Sequence, residues 1–217
     1  MDTIELIKKT IAFVKLQLQN AEGGHDWFHI ERVYKNALLI AKEEECNLLV
    51  IQLGALLHDI ADSKFHNGDE TIGPKIARTF LQEQNVTEDT ILHVVNIIEN
   101  ISFKGGNFEK KFNSIELDIV QDADRLDALG AIGIARAFNY GGFKNRVLYD
   151  PEIAPLNNMT KDEYKNNNNP TLNHFYEKLL LLKDKMNTVT GKKIALERHK
   201  YMENFLSQFY AEWEGLL

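Results

Sequence analysis

Residues 47–57, Asn-Leu-Leu-Val-Ile-Gln-Leu-Gly-Ala-Leu-Leu, are apolar around nearly the whole circumference of a helix and run directly into His58 and Asp59. A helix with no polar face has nothing to offer water, so it must lie at the centre of a fold with other elements packed around it. The rest of the chain supplies those elements. Ile4, Ile7, Ile11, Val14 and Leu18 step by three and four, which predicts an amphipathic helix over 3–20. Gly23 and Gly24 break it, and helices are expected at about 26–46, 47–62, 72–84, 87–101 and 114–129, with Thr87 as the N-cap of the fifth. A Gly-spaced helix, Gly-Ala-Ile-Gly-Ile-Ala-Arg-Ala-Phe, follows from Gly130. Two more, about 171–187 and 191–216, close the chain, the last keeping Met202, Phe205, Leu206, Phe209 and Trp213 in step. No segment alternates as a strand would. The expected class is all-α, one helical-bundle domain over 1–217.

Composition narrows what such a bundle can do. Lys and Arg number 25 against 32 Asp and Glu, a net charge of -7, which argues against binding a nucleic-acid polymer. A small anionic substrate stays open if a few cations gather locally. The N-terminal residues lack the pattern of a signal peptide, and no apolar run approaches a membrane span. One cysteine, Cys46, cannot form an internal disulfide and fits a reducing cytoplasm, the expected location. Residues 139–170 differ in kind, with eight asparagines and three prolines, and read as a long loop that could serve as a lid. The hydrophobic C-terminal helix is suited either to the core or to a homodimer.

Four ionisable groups fall on helix faces expected to point inward. His29 shares a stripe with Val33, Ala37 and Ile40; His58 and Asp59 sit on the apolar third helix; Asp124 lies one turn after Val120 and beside Ala123. Asp122, about 160° around the same helix, is expected to be solvated. Two carboxylates facing one core cost several kcal/mol each unless a cation meets them. Two imidazoles and two carboxylates form a mixed N/O set suited to Mn, Fe, Co, Ni, Zn or Mg, and such an ion acidifies a water for nucleophilic attack. Spacing alone leaves this reading level with its rival, in which His58 and Asp59 are merely a capped or solvated polar pair.

Three segments in order, His-Asp-Trp-Phe-His-Ile-Glu-Arg-Val from His25, Leu-Leu-His-Asp-Ile-Ala-Asp-Ser-Lys-Phe from Leu56 and Asp-Ala-Asp-Arg-Leu-Asp-Ala-Leu-Gly from Asp122, resemble the H…HD…D signature of the HD-domain superfamily of metal-dependent phosphohydrolases. The resemblance runs through 25–138, and the C-terminal stretch resembles a bacterial branch of HD phosphohydrolases. It implies a helical fold with one divalent metal held between core helices by His29, His58, Asp59 and Asp124. It also implies hydrolysis of a small phosphoester, mono- or diester, with a nucleotide as the expected substrate. The guanosine-polyphosphate hydrolase branch has a Glu-Asp pair where this chain has Asp62 and Ser63, a partial match only. Dinuclear members, including di-iron oxygenases, carry two further histidines between the His-Asp pair and the last Asp; here His66 and His93 are the candidates. A catalytically silent regulatory module is the other alternative, and the intact four-residue set speaks against it.

The neighbours suggest subsidiary roles. Asp62, one turn beyond His58, is a candidate general base, and His93 a candidate acid or base. Arg32, Lys64, Lys104, His174 and Lys178 are candidate contacts for an anionic substrate, and Asp127 for a sugar hydroxyl. Each also has a plainer explanation as a surface or packing residue. His25 is expected to face a loop, and Arg125 to make a surface ion pair.

Overall fold

The computed structural model describes residues 2–19, 26–61, 69, 71–101, 112–156 and 168–217. Among them the regular structure is helical throughout: α1 (Thr3–Gln17), α2 (Trp27–Ala41), α3 (Leu48–Leu57), α4 (Ile72–Glu83), α5 (Glu88–Asn100), α6 (Ile115–Asp127), α7 (Gly130–Phe143), α8 (Asn173–Glu177), a 3-10 segment Leu179–Lys185 and α9 (Val189–Trp213). The all-α expectation holds. No described helix is long and apolar enough to cross a membrane. The chain divides into two compact units, one ending at Asp124 and the other beginning at Arg125.

In the first unit α3 is the hub, packed against α1, α2 and α5, while α4 lies on α5. Ile51, Leu53, Leu56 and Leu57 are completely buried, as an all-round apolar helix requires. Gly54 explains how close its neighbours come. A Cβ there would meet Ile97 at 3.2 Å and Val120 at 3.5 Å, so the missing side chain admits α5 and α6 to the α3 backbone. Phe13 of α1 stacks on Phe80 of α4 with centroids 4.1 Å apart. Asn47 caps α3 by accepting from the Val50 amide at 3.3 Å, and Ser114 does the same for α6 through Leu117 at 3.0 Å. Thr87 occupies the N-cap position of α5 with extended backbone, but its hydroxyl bonds Thr90 instead of a backbone amide.

The third helix is shorter than its pattern suggested. It ends at Leu57, with His58 as its C-cap and Asp59 in the following turn, so the pair sits at the end of the apolar helix and not at its middle. The predicted helix over 171–187 is also divided. It breaks at Lys178, and the run of four leucines continues as the 3-10 segment. Leu179 and Leu182 are buried there while Leu181 is about half exposed, the three-residue step that a 3-10 turn sets.

In the second unit α7 packs on α9, which also lies against the 3-10 segment. Phe138, Phe175 and Phe205 meet pairwise at 5.9–6.0 Å. The loop expected to begin at residue 139 begins after α7, and its described parts, 144–156 and 168–170, are irregular. Gly133 of α7 stands where a Cβ would fall 2.2 Å from the Ala128 carbonyl oxygen, a backbone atom that cannot step aside. Gly133→Ala is therefore expected to lower stability by about 2 kcal/mol or more, read from the urea midpoint.

Candidate metal centre

His29 is positioned by the first turn of α2. Asp26 caps that helix by accepting from the His29 amide at 3.0 Å, and the His29 side chain is buried beside Ile30 and Val33. His58 enters from the end of α3. Its Nδ1 lies 2.9 Å from the Ala55 carbonyl oxygen. A carbonyl can only accept, so Nδ1 carries the proton and Nε2 is left as an acceptor. Burial lowers the His58 pKa below the ordinary imidazole value, outweighing the opposing pull of Asp124 and keeping the ring neutral. Neutral imidazole with a free Nε2 lone pair is the metal-binding form, and a carbonyl on the other nitrogen is its usual orienting partner.

That lone pair has an unusual outlook. His58 Nε2 is 3.3 Å from His29 Nε2 and 3.9 Å from Asp124 Oδ1, and His29 Nε2 is 3.5 Å from the same Asp124 oxygen. Ligand atoms of His29, His58 and Asp59 all lie within 4.8 Å of one another. A divalent ion about 2.1 Å from each donor separates its ligands by about 3.0 Å in an octahedron and about 3.4 Å in a tetrahedron. The spacings among His29, His58 and Asp124 fall at or just beyond this range, and Asp59 lies within 4.8 Å of both histidines, a donor set of the kind that accepts a divalent ion. Asp124 is the outermost, with its side chain 39% exposed while His29 and His58 are almost enclosed. This leaves an approach from the solvent side.

Two expectations about α6 need correction. Asp122, expected in water, is completely buried, and Asp124, expected in the core, is the half-exposed one. The error came from assuming that α6 has a solvated face. Residues 116, 117, 119–123, 126 and 127 are all buried, so most of its circumference is covered and a position opposite Asp124 still points into protein. Asp127 is likewise buried, only 1% exposed, and its Oδ2 receives Arg136 Nη1 at 2.6 Å. A carboxylate so enclosed and so paired belongs to the packing of the helix end, not to an open sugar site. Arg136 also donates to the Asp127 carbonyl at 3.2 Å and Arg198 to the Leu126 carbonyl at 2.5 Å, capping α6 with guanidinium groups. Arg125 donates to the Lys185 carbonyl. Gly130, at φ +70°, lets the chain turn there with Arg198 only 3.1 Å from where a Cβ would stand.

His93 lies in a separate polar cluster of the first unit. Its Nε2 is 3.0 Å from Ser114 Oγ and 3.3 Å from Glu116 Oε2, and its ring meets Phe112 edge-on. Glu116 is buried and also accepts from the Asn47 amide at 2.8 Å, which places a carboxylate at the N-terminus of α3. Burial and the nearby Glu116 push the Cys46 thiol above its ordinary pKa, so it is poorly nucleophilic. His93 is not in the group formed by His29, His58 and Asp59. Glu116, Asp122, Arg136 and Arg198 were not anticipated as structural partners of this region. Arg32, one turn after His29, is half-buried on α2.

In the second unit His174 and Lys178 are near neighbours, with Arg146 close enough to act on the same imidazole. Burial, then Lys178 and Arg146, hold the His174 pKa down to about 3. The native state keeps His174 neutral while the unfolded chain protonates it below the ordinary value of 6.5. Stability from this source is full above pH 6.5 and falls as pH drops toward 3. The difference in urea midpoint between the wild type and His174→Gln is therefore expected to change steadily between pH 7 and pH 4, with the wild type losing more. The candidates Asp62, Lys64 and Lys104, with His25, Ser63, His66 and residues 157–167 of the loop, lie outside the described residues.

Comparison with known proteins agrees with the motif. The HD domain family model matches residues 27–129. The YpgQ protein of Bacillus subtilis is 34% identical over 219 residues, covering 100% of this chain and 98% of that protein. An HD-superfamily hydrolase from Bacillus thuringiensis superposes with a TM-score of 0.79 at 47% identity, covering 98% of this chain and 99% of its own. The crystal structure of Bacillus subtilis YpgQ in complex with ADP gives a TM-score of 0.75 at 32% identity, covering 98% and 97%. A His-His-Asp cluster at the end of the apolar helix, matched sequence and matched fold together place this chain in the HD-domain superfamily.

Proposed function

We propose that the chain is a metal-dependent phosphohydrolase acting on a small, nucleotide-like phosphoester, with His29, His58, Asp59 and Asp124 as the ligands of one divalent ion. The convergence of His58 Nε2, His29 Nε2 and Asp124 Oδ1 at 3.3–3.9 Å carries this reading. The Ala55 carbonyl leaves His58 Nε2 as an acceptor, and an ion placed among it, His29 Nε2 and Asp124 Oδ1 would be met by all three. Such an ion polarises a phosphoryl oxygen and lowers the pKa of a water, the two services phosphoester hydrolysis needs.

The residues of the chain have distinct duties around it. The Ala55 carbonyl fixes the tautomer and ring angle of His58. Asp26 fixes the start of α2 and with it the backbone of His29. Asp124, at the exposed edge, borders the side from which substrate arrives. Proton transfer is assigned to Asp62, since His93 lies beside Glu116 at the opposite end of α3 from His58, and substrate contacts to Arg32, Lys64 and Lys104. A nucleotide-like substrate is supported by the relative whose structure holds ADP.

The test is phosphate release from ADP, ATP, p-nitrophenyl phosphate and bis-p-nitrophenyl phosphate, with chelator-treated protein reconstituted with Mn, Fe, Co, Ni, Zn or Mg. Metal-restored turnover of the nucleotides above the simple esters is expected. No hydrolysis of any substrate with any of these ions would refute the assignment.

A further inference from the structure

A concavity of 430 Å³ opens in the second unit and is lined by Tyr149, Asp150, Pro151, Ile153, Ala154, Pro155, Asn173, Tyr176 and Tyr210. Its volume is that of a small-molecule site. Three of these lining residues are tyrosines, and one, Asp150, is charged. Asp150 Oδ1 accepts from the Glu152 amide at 2.9 Å, and among the described residues it has no ion pair with a lysine or arginine. The tyrosines are held in place. Tyr149 meets Tyr210, Phe209 and Trp213 in edge-on contacts at 5.1–6.1 Å, and Tyr210 is hydrogen-bonded to Tyr176. Asn173 donates to the Ile153 carbonyl at 2.9 Å, tying α8 to the opposite lip.

The electrostatics of this lining have one sign. Aromatic rings carry electron-rich faces and acidic edges, and phenols bonded to each other remain neutral. Burial, together with Tyr176 and Tyr149, raises the Tyr210 pKa above its ordinary value, so it stays a neutral phenol. With a carboxylate among them and no cation among the described lining residues, the cleft disfavours a phosphate or any other anion. It suits a positive charge carried on an apolar body. An ammonium group beside a carboxylate and tyrosine rings gains attraction from both, while Pro151, Pro155, Ile153 and Ala154 take up its carbon skeleton.

We propose that the cleft bounded by Tyr149, Asp150, Tyr176 and Tyr210 is a binding site for a small organic cation bearing a substituted ammonium group. It does not depend on the metal-centre assignment, and no described metal-ligating residue takes part in it. Trp213, edge-on to Tyr149 at 5.1 Å, provides a fluorescence reporter beside the site.

The experiment titrates the full chain with choline, with its uncharged carbon isostere 3,3-dimethylbutan-1-ol and with adenosine, following tryptophan fluorescence and calorimetry. Because Trp27 also emits, the titration is repeated with Trp27→Phe. Choline is expected to saturate the site, with the isostere at least tenfold weaker and adenosine weaker still. Asp150→Asn is expected to reduce choline affinity about tenfold, and Tyr149→Leu to do so as strongly, while both leave Mn uptake unchanged. Should Tyr149→Leu disturb the fold, Tyr176→Leu, on the solvent-exposed side, serves in its place. Equal affinity for choline and its isostere would overturn the proposal, as would tighter binding of adenosine, no saturation by choline at tens of millimolar, or indifference to Asp150→Asn.

Discussion

Alanine at His58 is expected to lower kcat/KM for phosphoester hydrolysis by at least about a hundredfold, and to lower metal affinity by a similar factor. The size follows from the double role of the ring. Nδ1 is committed to the Ala55 carbonyl, so Nε2 can only be an acceptor, and it is the atom from which both His29 and Asp124 are reached. Removing it leaves one buried imidazole and two carboxylates without their common centre. Substitution by Gln is not expected to restore activity, because an amide oxygen at that reach cannot also be oriented by Ala55. The check is steady-state kinetics with the metal saturating, together with calorimetric Mn titration of the chelator-treated variant. Retained activity at saturating metal would mean that His58 is a structural residue and not a ligand. Far-UV circular dichroism separates loss of the site from loss of the fold.

The second large effect is on stability. Arg136→Ala is expected to cost roughly 2–4 kcal/mol in unfolding free energy, measured by urea denaturation. Asp127 is almost fully buried, and Arg136 holds both its carboxylate and its carbonyl. Truncating the arginine leaves a buried carboxylate short of its direct ion-pair partner, the expensive way to break such a pair. Two features keep the loss below the full cost of an unpaired buried charge. Arg136 is itself partly exposed, and Arg198 lies near enough to Asp127 to interact with it electrostatically. The double variant Arg136→Leu with Asp127→Leu is expected to recover much of the loss, because it removes both charges together.

Asp127 also shows where sequence reasoning reached its limit. Its pairing with Arg136 crosses the turn at Gly130, and no helical period links residues nine apart on two different helices. The same holds for Glu116 and the amide of Asn47, 69 residues apart. By contrast, the buried faces of α1, α2 and α5 repeat every three to four residues, and those helices were legible to within a few positions. The hub helix was recognised from its lack of any polar face, but that same uniformity hid its end. Nothing in an all-apolar run marks the turn at which it stops, and His58 and Asp59 look internal to it until the cap is seen. Asp122 and Asp124 were exchanged for a related reason. Helix geometry gives the angle between two residues, while the number of covered faces depends on what packs around the helix. The HD motif was legible through its resemblance to a known signature; the apolar stripes beside His29 and His58 gave their directions, while the one beside Asp124 did not.

The most direct test is calorimetric titration of Mn into chelator-treated protein, wild type and Asp124→Ala side by side, with elemental analysis of the protein as purified. The account predicts one ion per wild-type chain, bound at least about a hundredfold more weakly by the variant, with both chains equally folded. Two ions per chain would contradict a single centre. Undiminished binding by Asp124→Ala, or no binding by the wild type, would contradict the ligand set built from His29, His58, Asp59 and Asp124.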